Sequence, residues 1–286
     1  MLKLILLLLV GLPLLALIAF RFAGPLFDPT SSGKDKDKLF EGKKAPEHHF
    51  TTYKGIPLHY AQVGDSLPAT VIFVHGSPGS WDGWVNFLAD TSLTSRANII
   101  AIDRPGYGKS NPNVPLASVK EHADAWADLL KASQQQGKVI LVGHSYGGPI
   151  VARMAMDHPE WVDAVVIVAG SISPEVEKHQ WYNQIAKWKV VSWLLPPMMA
   201  TSNEEMWPLK EQLEEMLPLW DKLTMPVTVI QGTEDGLVDP LNADFAEKVI
   251  KSKELKVQRY PKTGHLIPWK RPELITNAVL EMLQVE

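Results

Sequence analysis

The run Val139-Ile140-Leu141-Val142-Gly143-His144-Ser145-Tyr146-Gly147-Gly148-Pro149-Ile150-Val151-Ala152 decides the fold. Its first four residues are wholly apolar and mostly β-branched, as a strand buried on both faces should be. From Ile150 to Met156 the residues favour a helix. Between them stands a G-x-S-x-G motif, so Ser145 falls on a sharp strand-to-helix turn whose glycines let the backbone turn without Cβ clashes. A hydroxyl held there stands above the sheet, beside the free amides of a helix N-terminus that can stabilise a developing oxyanion. Ser145 is therefore the candidate nucleophile. The bare pentapeptide also arises by chance in Gly-rich turns, and the flanking strand and helix are what give it weight.

Working outward, Val71 to Val74, Ile99 to Ile102, Val165 to Val168, Val227 to Ile230 and Val257 to Tyr260 read as further strands. The first four are almost wholly apolar, which suits a mostly parallel sheet with helices on both faces. Ser118 with Glu121 forms a capping box, followed by Val119, Ala123, Trp126, Ala127 and Leu130 at helical spacing. A last helix opens at Pro272 and should bury Ile275, Ala278, Val279 and Met282. From about 171 to 221 no strand pattern occurs. That interval is Pro-punctuated and rich in Trp and Met, and it reads as an inserted helical cap. The expected organisation is an N-terminal membrane anchor or signal segment over 1–27, a polar tether over 28–49, and an α/β domain over 50–286.

Four more blocks accompany the serine turn: His75-Gly76-Ser77-Pro78-Gly79, Asp103-Arg104-Pro105-Gly106-Tyr107-Gly108, Gly232-Thr233-Glu234-Asp235, and Gly264-His265 followed by Pro272-Glu273. Together and in this order they resemble the α/β-hydrolase fold superfamily, in its serine-nucleophile, esterase- and lipase-like branch. The resemblance covers nearly everything from Tyr60 to Leu283 except the cap. It implies that His265 takes the Ser145 proton and returns it to the leaving group. Asp235 would hold the imidazole in its working tautomer. It also implies an oxyanion hole made by the backbone N–H groups of Ser77 and Tyr146. Glu234 and Asp239 compete with Asp235; Asp239, before Pro240, looks like a helix N-cap. His75 and Arg104 are expected to hold loops together, and His48, His49, His122, His158 and His179 to lie on the solvated surface. Gly64-Asp65-Ser66-Leu67 spells the signature of a different serine-hydrolase family but precedes its strand, and reads as a turn.

Composition narrows the chemistry further. A net charge of -4 offers no basic field for nucleic acid, and the absence of cysteine removes thiolate catalysis, disulfides and Cys-ligated zinc. No cofactor and no metal is expected. Leu4 to Phe20 is uncharged and apolar behind Lys3, and Phe20-Arg21-Phe22 crowds the cleavage site near Ala19, which favours retention as an anchor. The expected location is the membrane, with the catalytic domain extracytoplasmic, although Arg21, Lys34, Lys36 and Lys38 follow the run and oppose export. Serine at the elbow argues against dehalogenases and epoxide hydrolases, which carry aspartate there. The resulting expectation is ester hydrolysis through an acyl-enzyme on a small or medium-sized apolar substrate. C–C bond hydrolysis, amidase or aminopeptidase action and haloperoxidation are alternatives on the same triad, and a non-catalytic binding protein is the alternative from another class.

Overall fold

The computed structural model describes residues 38–284. One sheet holds β1 (Glu47–Tyr53), β2 (Ile56–Val63), β3 (Ala69–Val74), β4 (Asn98–Asp103), β5 (Lys138–His144), β6 (Ala164–Val168), β7 (Val227–Gly232) and β8 (Leu255–Tyr260). The strand order is β1-β2-β4-β3-β5-β6-β7-β8. β2 runs antiparallel to β1 and to β4, and every other neighbouring pair is parallel. The five apolar runs of the sequence fall inside β3 to β7, and Val257 to Tyr260 falls inside β8.

β1 and β2 escaped the sequence reading because they form a polar hairpin with little buried surface on β1. Lys54 and Gly55 turn it with φ of 49° and 82°, the two positive values a two-residue hairpin needs. The expected tether thus gives its last three residues, Glu47 to His49, to the sheet. The rest of the anchor and tether, up to residue 37, lies outside the described residues. Among the described residues no helix is long and apolar enough to cross a membrane.

Strand periodicity divides the core between the two faces of the sheet. Ile72, Val74, Val139 and Leu141 enter one buried cluster, while Val71, Phe73, Ile140 and Val142 enter the other. Each such fully buried side chain contributes about 1.5–3 kcal/mol of transfer free energy. Helices α1 (Val119–Asp124), α2 (Ala127–Gln136) and α3 (Gly147–Asp157) follow β4 and β5. Ser118 Oγ accepts from the Glu121 amide, but the Glu121 carboxylate reaches Lys54 at 3.1 Å, so only half of the capping box forms.

Between β6 and β7 the chain makes α4 (Trp181–Ala186), α5 (Lys189–Leu194), α6 (Pro197–Met206) and α7 (Leu209–Met216), then a 3₁₀ segment at Leu217–Lys222. α8 (Asn242–Val249) and α9 (Pro272–Gln284) complete the helices that concern the site; α9 buries Ile275, Ala278, Val279 and Met282.

Candidate active site

Ser145 follows the last residue of β5 directly, with φ of 54°. That left-handed conformation costs a non-glycine residue roughly 1–2 kcal/mol. Its surroundings enforce it: the Ser145 amide donates to the Val168 carbonyl at 3.0 Å, and its own carbonyl accepts from Gly148 at 2.9 Å. The flanking glycines are required by close approach. A Cβ on Gly143 would lie 2.2 Å from the Gly147 carbonyl oxygen, and one on Gly147 would lie 2.3 Å from that of Val74. The motif therefore packs β5, α3 and the end of β3 into contact, and the serine is carried at the apex.

His265 stands in the loop after β8, and its Nδ1–H donates to Asp235 Oδ2 at 2.8 Å. Asp235, in the turn after β7, is buried. The amides of Leu237 and Val238 both donate to its Oδ1 at 2.9 Å. Burial pushes this carboxyl up, but the hydrogen bond and charge of His265, with the two amides, outweigh it and hold the group below the usual aspartate value. Of the two competitors, Glu234 is exposed, and Asp239 accepts from the Leu241 amide at 3.0 Å in the turn that leads into α8. Asp235 alone of the three meets His265.

His144, the variable residue before the serine, was not singled out in the sequence and is buried against the same loop. Its Nε2–H donates to the His265 carbonyl at 3.0 Å, and the two rings lie 4.7 Å apart. Burial, followed by the charge of His265, pushes the His144 pKa down to about 3, so it is neutral and acts as a fixed donor that holds the His265 loop.

Ser145 and His265 line one cavity of about 440 Å³, as do Ser77 and Tyr146. Among the described residues the amides of Ser77 and Tyr146 donate to no other backbone group. The remaining wall is largely apolar and comes mostly from the cap: Trp181, Ile185, Val191, Leu195, Met199 and Met206 all face in. Glu177 is a polar exception, its carboxylate accepting from Ser171 Oγ and its pKa raised by burial. No group of three or more His, Asp or Glu that could hold a metal ion occurs among the described residues.

The sequence reading missed a buried cluster that joins the cap to the loop after β3, which carries Ser77. Arg104 holds that loop, its Nε donating to the His75 carbonyl at 3.1 Å and its Nη2 to that of Gly76 at 3.0 Å. His75 receives the Arg104 amide on Nε2 and donates from Nδ1 to Gly76, so it is neutral; burial and the guanidinium both push its pKa down. The far side of Arg104 meets Glu205 of α6 in a two-pronged pair at 2.8 and 3.1 Å. Ser77 Oγ and Tyr107 Oη each donate to Glu205 Oε2 at 2.8 Å, and His122 Nε2–H donates to Oε1 at 2.9 Å. Burial pushes the Glu205 carboxyl up, but the guanidinium and the His122 hydrogen bond hold it at about 2.

The expected surface placement of His122 is thereby corrected: α1 packs it fully inside, and a carboxylate from a distant element accepts from its Nε2–H. His48 is exposed, as expected, and shares a 2.8 Å contact with the buried His59, whose Nδ1–H donates to Asp103. His179 donates to the Trp207 carbonyl and lines the cavity.

Residues 69–193 match the family model described as alpha/beta hydrolase fold. The match covers less than half of the chain, and the eight-stranded, mostly parallel sheet with its helices is the fold that this family model describes. Among curated relatives, a C–C hydrolase of Paraburkholderia phymatum, 2-hydroxy-6-oxononadienedioate/2-hydroxy-6-oxononatrienedioate hydrolase, is 27% identical over 76% of this chain and 72% of its own. The dihydrolipoyllysine-residue acetyltransferase component of the acetoin cleaving system of Cupriavidus necator is 32% identical over 46% of this chain. The chain spans 34% of that relative, and 30% of a 1-acylglycerol-3-phosphate O-acyltransferase of Arabidopsis thaliana. A bacterial membrane phospholipase A superimposes with a TM-score of 0.66 at 21% identity, covering 99% of this chain and 96% of that one.

Proposed function

We propose that the chain is a serine hydrolase that cleaves esters of small or medium-sized apolar substrates through an acyl-enzyme. The observation that carries this reading is the 2.8 Å His265–Asp235 hydrogen bond beside a cavity that Ser145 and His265 share. His265 Nε2 removes the Ser145 proton as Oγ attacks the ester carbonyl. The oxyanion is met by the amides of Ser77 and Tyr146, and the imidazolium by Asp235. Collapse expels the alkoxide with the proton from His265; water then repeats the sequence on the acyl-enzyme and releases the acid. Labelling with a fluorophosphonate tests the assignment. It should modify Ser145, and Ser145→Ala should lose label and about 10³-fold or more of turnover while staying folded. Equal labelling of that variant refutes the nucleophile.

The second reading is C–C bond hydrolysis by the same residues, favoured by the length over which the chain matches the Paraburkholderia enzyme. Parallel assays on p-nitrophenyl esters and on a vinylogous 1,5-diketone separate the two. We place the catalytic unit at 50–286 with its cap at about 171–221. The Leu4 to Phe20 run is assigned as a single membrane anchor with the domain extracytoplasmic. Recovery of the full chain in the soluble fraction of a lysate would overturn the anchor, and protease protection in intact spheroplasts would overturn the orientation.

A further inference from the structure

More than half of the large apolar side chains that stay exposed among the described residues fall between Trp181 and Met199, on α4, α5 and the start of α6. Trp181 is 73% exposed, Trp188 67% and Val190 69%. The two faces of these short helices differ. Ile185, Val191 and Leu195 turn toward the cavity that holds Ser145, whereas Trp188 and Val190 do not reach it and stand in solvent. Core packing therefore explains the inner set and leaves the outer set without a partner. Exposed apolar patches of a few hundred Å² on a soluble surface mark a place where something docks.

The charge around the patch selects the occupant. From Lys178 to Asn203 the sequence contains Lys178, Lys187 and Lys189 and no acidic residue, although the whole chain carries a net charge of -4. Lys187 and Lys189 bracket Trp188. Tryptophan with flanking lysine suits the boundary of an anionic bilayer: the indole body sinks to the headgroup level, the lysine stems lie along apolar surface, and the ammonium groups meet lipid phosphates.

We propose that the outer face of α4 and α5 is a docking surface for an anionic lipid bilayer. Docking there would hold the cap, and with it the cavity lined by Trp181 and Tyr182, against the membrane. The contact is independent of hydrolysis, so loss of the catalytic reading would leave it standing.

An N-terminal anchor could bring the chain to a membrane by itself, so a test must report locally. The chain has no cysteine, and a single Val190→Cys in the full chain can carry one environment-sensitive fluorophore. Lys253→Cys, exposed just before β8 at the opposite end of the sheet from Ser145, serves as the control. Each protein is mixed with vesicles of phosphatidylcholine and phosphatidylglycerol bearing nitroxide-labelled acyl chains. Quenching at position 190 should exceed that at 253 several-fold. It should fall when phosphatidylglycerol is omitted, and fall again when Trp188→Glu is added. Equal quenching at 190 and 253 overturns the proposal. So does shielding of the 190 label without vesicles that grows with protein concentration, which would assign the face to a second copy of the chain.

Discussion

Glu205→Gln is the most informative single change in the cap. The side chain keeps its shape but loses the charge that balances Arg104, and both groups are fully buried. Removing one partner of a buried ion pair costs about 3–5 kcal/mol, because the other charge is left uncompensated. Proton linkage gives a similar size: a carboxyl held at about 2 in the folded chain against an ordinary 4.5 contributes about 3 kcal/mol at neutral pH. With a urea slope of roughly 2–3 kcal/mol per M, the unfolding midpoint of the variant should fall by about 1 M or more.

The pH dependence is equally specific. Since the folded pKa is depressed, this stability is fully present above about pH 4.5 and is lost as pH falls through about 2. Wild type and variant should therefore converge as pH is lowered across that window. Because Glu205 also accepts from Ser77, turnover should drop with stability, by up to about 10²-fold if the loop that carries Ser77 shifts by an ångström. Urea titration at neutral and acid pH, with kcat measured alongside, is the assay. Equal midpoints at neutral pH, or a gap that does not narrow on acidification, would refute the reasoning.

Asp235→Asn should cost orders of magnitude in kcat, whereas Glu234→Gln should change little and Asp239→Ala should lose about 1 kcal/mol of stability with its turn hydrogen bond to Leu241; steady-state kinetics with thermal melts checks all three. Gly147→Ala should fail to give soluble, cooperatively melting protein, since its methyl would lie 2.3 Å from the Val74 carbonyl oxygen, while Gly236→Ala, with nothing within 4 Å of its Cβ, should melt as wild type. On p-nitrophenyl esters kcat/KM should rise up to about tenfold per two added carbons before levelling, because each buried methylene contributes about 0.8 kcal/mol. A monotonic fall from acetate to octanoate would mean that the cap closes the cavity instead of extending it.

What the sequence discloses follows from where each interaction is encoded. β3 to β7 are legible because strands buried on both faces need continuous apolar runs, and Val139 to Val142 cannot be satisfied any other way. β1 is not, since its residues alternate among Glu, His, Thr and Tyr with most faces exposed, and its strand character comes from pairing with β2. Trp and Met in the cap were legible as apolar but not as to destination: Met199 and Met206 line the cavity, Met216 and Trp220 enter the core, and Trp188 faces solvent.

Glu205 marks the limit most clearly. In Asn203-Glu204-Glu205-Met206 two adjacent carboxylates look alike, and helix periodicity alone gives either the same prospect of solvent. One is exposed and the other fully buried. The difference is set by Arg104, Tyr107, His122 and Ser77, which stand about a hundred residues earlier and converge only after β3 and β4 pair and α6 folds over them. A motif records residues that share one turn, as Gly143 to Gly147 do. A charge pair between the cap and the body leaves no such local trace, because each half is chosen for a partner on another element. The cluster thus joins the two regions that the sequence treats as separate. Ser77, which lines the cavity beside Ser145, is held through its hydroxyl by the cap that roofs that cavity, so cap position and the placement of Ser77 are set by the same carboxylate.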